Sequence, residues 1–154
     1  MTDETLDAIE KEIEIEAPIG RVWRALTDHE EFGAWFRVKL EKPFAAGQPS
    51  HGQMTWPGYE HLRWTAVIKA IEAPRYFSFT WHPYAIDTAN DYSEEEPTLV
   101  EFWLSEVDGR TVLKVRESGF SKVPAARRAI AFRSNSNGWA QQMKNVAEYV
   151  AQHP

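Results

Sequence analysis

The segment IEKEIEIEAPIGRVWRALTD, residues 9–28, contains the two patterns on which the fold prediction depends. In its first half Ile9, Ile13 and Ile15 alternate with glutamates, which is typical of a strand with one buried face. Pro18 then suits the first position of a helix, where no backbone N–H is needed. Apolar residues recur after it at helical spacing, namely Ile19, Val22, Trp23 and Leu26. The segment therefore predicts a strand followed by a short amphipathic helix.

A second short helix is predicted directly after the first. Asp28 suits its N-cap, and Glu31, three residues later, completes the pattern of a capping box. We expect this helix to end near Trp35-Phe36. Two brief helices in tandem are therefore expected.

The middle of the chain is predicted to be mainly strand. Prolines and glycines are frequent in residues 37–60, so the strands expected near 37–42 and 52–56 are short. Alternation of apolar and polar residues over Leu62–Ala70, followed by Phe77–Trp81, predicts a hairpin of two longer strands.

The last part of the chain begins with an acidic segment, Pro83–Pro97, which fits either a solvated loop or a lid over an entrance. Two alternating runs, Leu99–Val107 and Thr111–Ser118, flank an Asp108-Gly109 turn and predict a second hairpin. A helical stripe follows to the end of the chain, consisting of Trp139, Met143, Val146 and Val150. Together these elements predict one α+β domain over residues 1–154, with 1–7 as a flexible N-terminus.

Composition excludes several classes of function. The formal charge of −6 and the pI near 5.4 argue against nucleic acid and anionic membranes as partners. Cysteine is absent, so disulfides, thiolate catalysis and cysteine metal sites are excluded. No apolar run approaches the roughly 20 residues of a membrane span. Because the chain also starts with an acidic segment, we expect a cytoplasmic protein without a membrane span.

Short motifs along most of the chain resemble those of one superfamily. They are AP at 17–18, VWRALTD at 22–28, WF at 35–36, PRYFSFTW at 74–81, GRT at 109–111, ESGF at 117–120 and GW at 138–139. In order and spacing the chain resembles the START-like (SRPBCC) superfamily, in the branch of the activator of heat shock protein 90 ATPase. The resemblance implies a helix-grip fold, in which a curved, mainly antiparallel sheet of about six or seven strands packs against a long C-terminal helix.

The resemblance also implies a cavity between the sheet and the C-terminal helix. Seven Trp, eight Phe and five Tyr are available to line it. Alternation and the helical stripe nominate as ligand-binding residues Trp35, Phe36, Trp64, Phe77, Phe79, Trp81, Phe102, Leu104, Glu117, Phe120, Trp139 and Met143. The expected ligand is a small hydrophobic or aromatic molecule, with no cofactor or metal. In the alternative interpretation the rings fill the interior and leave no pocket.

Among polar residues, Glu117 is the one candidate for catalysis. It lies on the same face of the predicted strand as Leu113 and Val115. Its carboxyl group therefore either faces the cavity, where burial raises its pKa, or turns to solvent at the end of the strand. His61 and His82 lie near the expected rim of the cavity. No histidine pair has the spacing of a metal site.

The sequence is compatible with three functions. The first is binding of a small hydrophobic molecule, as the START-like carriers do. The second is regulation of a chaperone ATPase through the protein surface, although 154 residues leave little room for a separate chaperone-docking domain. The third is a cyclase- or hydrolase-type enzyme that uses Glu117 together with His61 or His82. The expected oligomeric state is a monomer or a weak homodimer.

Overall fold

The computed structural model describes residues 7–154, which form seven strands, three α-helices and one 3-10 turn. In chain order these elements are β1 (Ala8–Ile15), α1 (Ile19–Thr27), α2 (His29–Phe36), β2 (Val38–Leu40), β3 (Pro49–Met54), β4 (Arg63–Glu72), β5 (Tyr76–Trp81), β6 (Thr98–Val107), β7 (Arg110–Ser118), the 3-10 turn (Phe120–Lys122) and α3 (Ala125–Gln152). The α+β helix-grip prediction is confirmed. The predicted flexible segment 1–7 lies, for residues 1–6, outside the described residues.

All seven strands belong to one antiparallel sheet in the order β1-β7-β6-β5-β4-β3-β2. Strands β2 to β7 each pair with their neighbours in chain order, as consecutive strands usually do, although a long loop joins β5 to β6. Strand β1 pairs instead with the last strand, from Ala8 opposite Ser118 to Ile15 opposite Thr111. Helix α3 packs against β1 and α2, so the sheet curves around one long helix.

The beginnings of the two short helices differ slightly from the prediction. Pro18 is the N-cap of α1 rather than its first helical residue. Asp28 caps α2 as predicted, because its Oδ1 accepts hydrogen bonds from the N–H groups of Glu30 at 2.9 Å and Glu31 at 3.2 Å. The prediction that Glu31 completes a capping box is wrong. The Glu31 carboxylate forms ion pairs with arginines of α1 instead of reaching back to the Asp28 N–H.

The burial of alternate residues follows the sequence pattern closely. Ile9 and Ile15 face the core on β1, and the buried faces of β5 and β6 include Phe77, Phe79 and Phe102. Strand β3 begins at Pro49, earlier than the predicted residue 52, since a proline tolerates the first position of a strand. This packing places a closed aromatic core under one part of the sheet.

Among residues 7–154, no helix combines the length and apolar character that a bilayer crossing requires. The same residues contain no group of three or more histidine, aspartate or glutamate side chains placed to hold a metal ion.

Candidate functional site

A cleft of about 800 Å³ opens between the sheet and α3. Its lining comes from the end of α2, the end of β3, the β3–β4 connection, the start of β4, the end of β5, the loop after β5 and the middle of α3. These residues are Phe36, Met54, Trp56, Tyr59, His61, Leu62, Arg63, Trp64, Thr65, Trp81, His82, Tyr84, Ala85, Asp87, Thr88, Asn90, Tyr92, Ser93, Asn135, Gly138, Gln141 and Gln142. We call this space the cleft.

Three aromatic side chains form the inner wall of the cleft. The ring centroids of Phe36 and Trp64 lie 5.3 Å apart, and those of Trp64 and Trp81 lie 5.5 Å apart. Phe36 and Trp81 approach to 6.1 Å. Such edge-on and tilted contacts hold the rings in fixed positions. The wall is therefore preformed.

A smaller recess of about 90 Å³ adjoins the cleft at α3. It shares Phe36, Trp81, Asn135, Gly138 and Gln142 with the cleft lining and adds Trp139. Because five of its six lining residues also line the cleft, we treat it as a side chamber of the same site and call it the recess.

The loop from residue 83 to 97 covers one side of the cleft and is fastened to α3 by Arg127. The Arg127 guanidinium donates to the Glu95 carboxylate at 2.6 Å and to the Pro83 carbonyl at 2.8 Å. It also lies 4.7 Å from the centre of the Tyr92 ring. One helix residue thus contacts both ends of the loop, and the loop closes against the helix.

Glu117 lies behind the inner wall, with 0% of its surface exposed. Its carboxylate accepts hydrogen bonds from Trp81 Nε1 at 2.7 Å, Thr98 Oγ1 at 2.5 Å, Trp139 Nε1 at 2.9 Å and Asn135 Nδ2 at 2.9 Å. Burial raises the pKa of the Glu117 carboxyl above its ordinary value, and the four donors oppose that rise. Through these bonds the carboxylate fixes Trp81 of the inner wall and, beside it, Trp139 and Asn135.

Only part of the residue set predicted to bind a ligand reaches this space. Phe36, Trp64 and Trp81 line the cleft, and Trp139 lines the recess. The others are buried outside both linings, namely Trp35, Phe77, Phe79, Phe102, Leu104, Glu117, Phe120 and Met143. For Phe77, Phe79, Phe102 and Leu104 alternation predicted the inward direction, but rings on neighbouring strands pack against each other and fill that part of the interior. Glu117 does not turn to solvent.

Sequence patterns did not predict several of the residues that line the cleft. Trp56 and Tyr59 belong to the Gly- and Pro-rich connection, which has no periodicity that could assign a direction. Asn135, Gly138 and Gln142 follow helical spacing and therefore share one face of α3. That polar stripe was the available signal, but apolar stripes are the usual guide to a cavity.

The histidines near the predicted rim do line the cleft. His61 is exposed in the β3–β4 connection, and His82 lies just after β5. Nε2 of His82 lies 2.9 Å from the Glu95 carbonyl oxygen. His82 is thereby connected to the loop that Arg127 fastens.

Comparison with known proteins gives one family and many similar folds. A family model described as Activator of Hsp90 ATPase homolog 1-like protein matches residues 16–151. No curated protein matches the chain.

Solved structures resemble the chain over nearly its whole length. The crystal structure of protein MLL2253 from Mesorhizobium loti has a TM-score of 0.74 at 25% identity, covering 96% of this chain and 98% of that one. A solution structure from Arthrobacter aurescens has a TM-score of 0.79 at 18% identity, covering 99% and 90%. Protein NE0264 from Nitrosomonas europaea has a TM-score of 0.75 at 15% identity, covering all of both chains. Because the last two structures are only 18% and 15% identical to this chain, their similarity shows the fold alone.

Proposed function

The chain belongs to the family of activator of Hsp90 ATPase homolog 1-like proteins, within the START-like (SRPBCC) superfamily, and from this premise we propose that it binds a small, flat hydrophobic or aromatic molecule in the cleft. The observation that carries the proposal is the preformed wall of Phe36, Trp64 and Trp81 facing a space of about 800 Å³. Clefts that bind small molecules have volumes of about 300–1,000 Å³.

The chemistry of the lining supports an apolar, planar ligand. Aromatic faces favour stacking and exclude water, and each ring that becomes covered adds apolar burial. The polar groups lie mainly on the loop after β5 and on α3. A ligand would therefore contact rings on one side and a few orienting polar groups on the other.

Gly138 is a further reason to expect an occupant. It lies in the middle of α3, where a glycine costs about 0.5–1 kcal/mol relative to alanine. A Cβ added at Gly138 would meet no atom within 4 Å, and the position lines both the cleft and the recess. A larger side chain would fit the protein but would fill space that a ligand needs.

The test uses Gly138→Leu, with Gly20→Leu as its matched control. Gly20 is also helical, exposed and without neighbours within 4 Å of an added Cβ, but it does not line the cleft. Intrinsic tryptophan fluorescence is recorded while 2-naphthol, naphthalene derivatives and decanoate are titrated. We expect saturable binding of at least one probe by the wild type and by Gly20→Leu. We expect Gly138→Leu to bind that probe at least about tenfold more weakly, which is about 1.4 kcal/mol.

Equal affinity of the Gly138→Leu and Gly20→Leu variants would contradict binding in this cleft. If no probe changes the fluorescence of the folded wild type, the proposal is withdrawn. The family description then favours the second candidate, a regulator of a chaperone ATPase that acts through its surface. That candidate predicts a faster ATPase rate of purified Hsp90, with no effect of Gly138→Leu.

The arrangement of Glu117 argues against the enzyme hypothesis. A general acid or base must come within hydrogen-bond reach of its substrate. The Glu117 carboxylate has 0% exposure and is surrounded by four protein donors. Its role in the proposed function is to hold Trp81 of the wall and the neighbouring Trp139 and Asn135 in position.

A further inference from the structure

Most polar groups at the inner end of the cleft are already paired within the protein. The indole N–H groups of Trp81 and Trp139 both donate to Glu117. Gln142 is paired at both ends of its amide, because Nε2 donates to the Phe36 carbonyl at 3.1 Å and Oε1 accepts from Asn145 at 2.9 Å. These groups are therefore not free to recognise a ligand.

Asn135 differs from them, because only half of its amide is paired. Its Nδ2 donates to both oxygens of Glu117, at 2.9 Å and 3.2 Å. Its Oδ1 accepts no hydrogen bond from any residue between 7 and 154, although Asn135 lines both the cleft and the recess. The carboxylate also fixes the amide, since the opposite orientation would place Oδ1 against an acceptor. Asn135 thus offers a fixed acceptor to an occupant.

We propose that Asn135 selects ligands that carry a hydrogen-bond donor, a hydroxyl or N–H group on an aromatic ring, and that Glu117 is the positioning residue that sets this preference. The inference rests on the proposed function, since it requires an aromatic body in the cleft. The recess of about 90 Å³ is smaller than the cavity of about 150 Å³ that accommodates benzene. It therefore suits a donor substituent beside Asn135 rather than a second ring.

The first test compares three probes of one ring system: 2-naphthol, 2-methoxynaphthalene and naphthalene. The hydroxyl of 2-naphthol donates a hydrogen bond, whereas the methyl ether can only accept one. We expect the wild type to bind 2-naphthol about 3- to 10-fold more tightly than 2-methoxynaphthalene, as one neutral hydrogen bond provides. Asn135→Leu removes the acceptor and should reduce this ratio to about one.

The second test changes the group that orients Asn135. In Glu117→Gln the new side chain carries its own N–H₂, which lets the Asn135 amide turn and accept a hydrogen bond from it. Asn135 Nδ2 reaches both oxygen positions of residue 117, so it can also still donate to the remaining Gln oxygen. Both orientations of the Asn135 amide then become accessible, and the preference for 2-naphthol over 2-methoxynaphthalene should fall toward one. A residue that only supported the fold would weaken all three probes alike and leave their ratio unchanged.

Asn137→Leu is the control, because Asn137 is an exposed residue of the same helix that lines neither the cleft nor the recess. It should keep the wild-type ratio. Equal binding of 2-naphthol and its methyl ether by the wild type overturns this inference and leaves the proposed function in place. Binding of none of the three probes by the folded wild type overturns both.

Discussion

Glu117 brings an ionisable carboxyl group into the interior among neutral partners. The side chains that donate to it are two indoles, one amide and one hydroxyl. A buried carboxylate is costly unless its oxygens are hydrogen-bonded, and here both oxygens are. The residue therefore links β7, β6, β5 and α3 at the point where the closed core meets the cleft.

The titration of Glu117 predicts a pH-dependent contribution to stability. Because burial raises its folded-state pKa above the ordinary value of 4.5, the folded protein holds this proton more tightly than the unfolded chain. The contribution is complete below pH 4.5 and is lost as the pH rises through the folded-state pKa. We expect the free energy of unfolding of the wild type, relative to Glu117→Gln, to fall as the pH rises from about 4.

Urea unfolding of both proteins at a series of pH values measures this difference, and groups common to both cancel. If the stability of the wild type relative to Glu117→Gln rises with pH instead, the four hydrogen-bond donors lower the folded-state pKa of Glu117 by more than burial raises it. The carboxylate would then be the form that the fold prefers.

For the loop of residues 83–97, sequence and tertiary structure lead to different conclusions. Its acidic composition fits a solvated segment, and several of its residues are indeed exposed. However, Arg127 contacts both of its ends from a helix that begins after two more strands. Sequence patterns cannot pair residues so distant along the chain, because an ion pair leaves no periodic signal. Only the packing of α3 shows that the loop covers the cleft.

Arg127→Gln should loosen this loop without unfolding the domain. The Arg127–Glu95 pair is largely buried, with side-chain exposures of 17% and 20%. Its loss removes a two-pronged, charge-assisted contact. We expect amide hydrogen exchange at Asp87 and Glu95, whose N–H groups are bonded within the loop, to accelerate about tenfold or more.

Arg63→Gln provides the matched comparison. Arg63 also pairs with a glutamate, Glu41, but both side chains are about half exposed, so little stability is expected from the pair. Equal exchange in the two variants would show that Arg127 does not hold the loop.

Across the whole molecule the aromatic side chains divide into two groups. Under the middle strands, Phe77 has 0% exposure. Its ring centroid lies 5.3–6.0 Å from the ring centroids of Phe44, Phe79 and Phe102. In the cleft, Trp56 is half-buried and has the Arg37 guanidinium 4.9 Å from its ring. The same ring chemistry therefore fills one part of the interior and leaves another part open.

This division predicts different costs for truncation. Phe77→Ala should lower the free energy of unfolding by about 3–5 kcal/mol, because it leaves a cavity in a closed core. Trp56→Ala should lower it by less than about 2 kcal/mol, since the cleft is already open. Denaturant unfolding measures both values. Similar losses in the two variants would contradict the separation of core and cleft.

The sequence by itself determined the elements of this protein, their order and the inward direction of most side chains. Alternation and helical spacing are local properties, and the burial of one face of each strand or helix forces them on the sequence. For Glu117 the same alternation placed it with Leu113 and Val115 but left a turn to solvent at the strand end open, and the structure shows that it is buried. The short motifs, through their order and spacing, also indicated the family.

Only the tertiary structure decided where the interior is filled and where it is open. The direction of a side chain does not state how far the facing element lies, and that distance depends on the curvature of the sheet and the position of α3. Phe77 and Trp81 share one face of β5, yet the first is enclosed by rings and the second borders the cleft. The free acceptor of Asn135 likewise arises from its contact with Glu117, 18 residues earlier in the chain. Close packing between distant segments, rather than local pattern, made the candidate site.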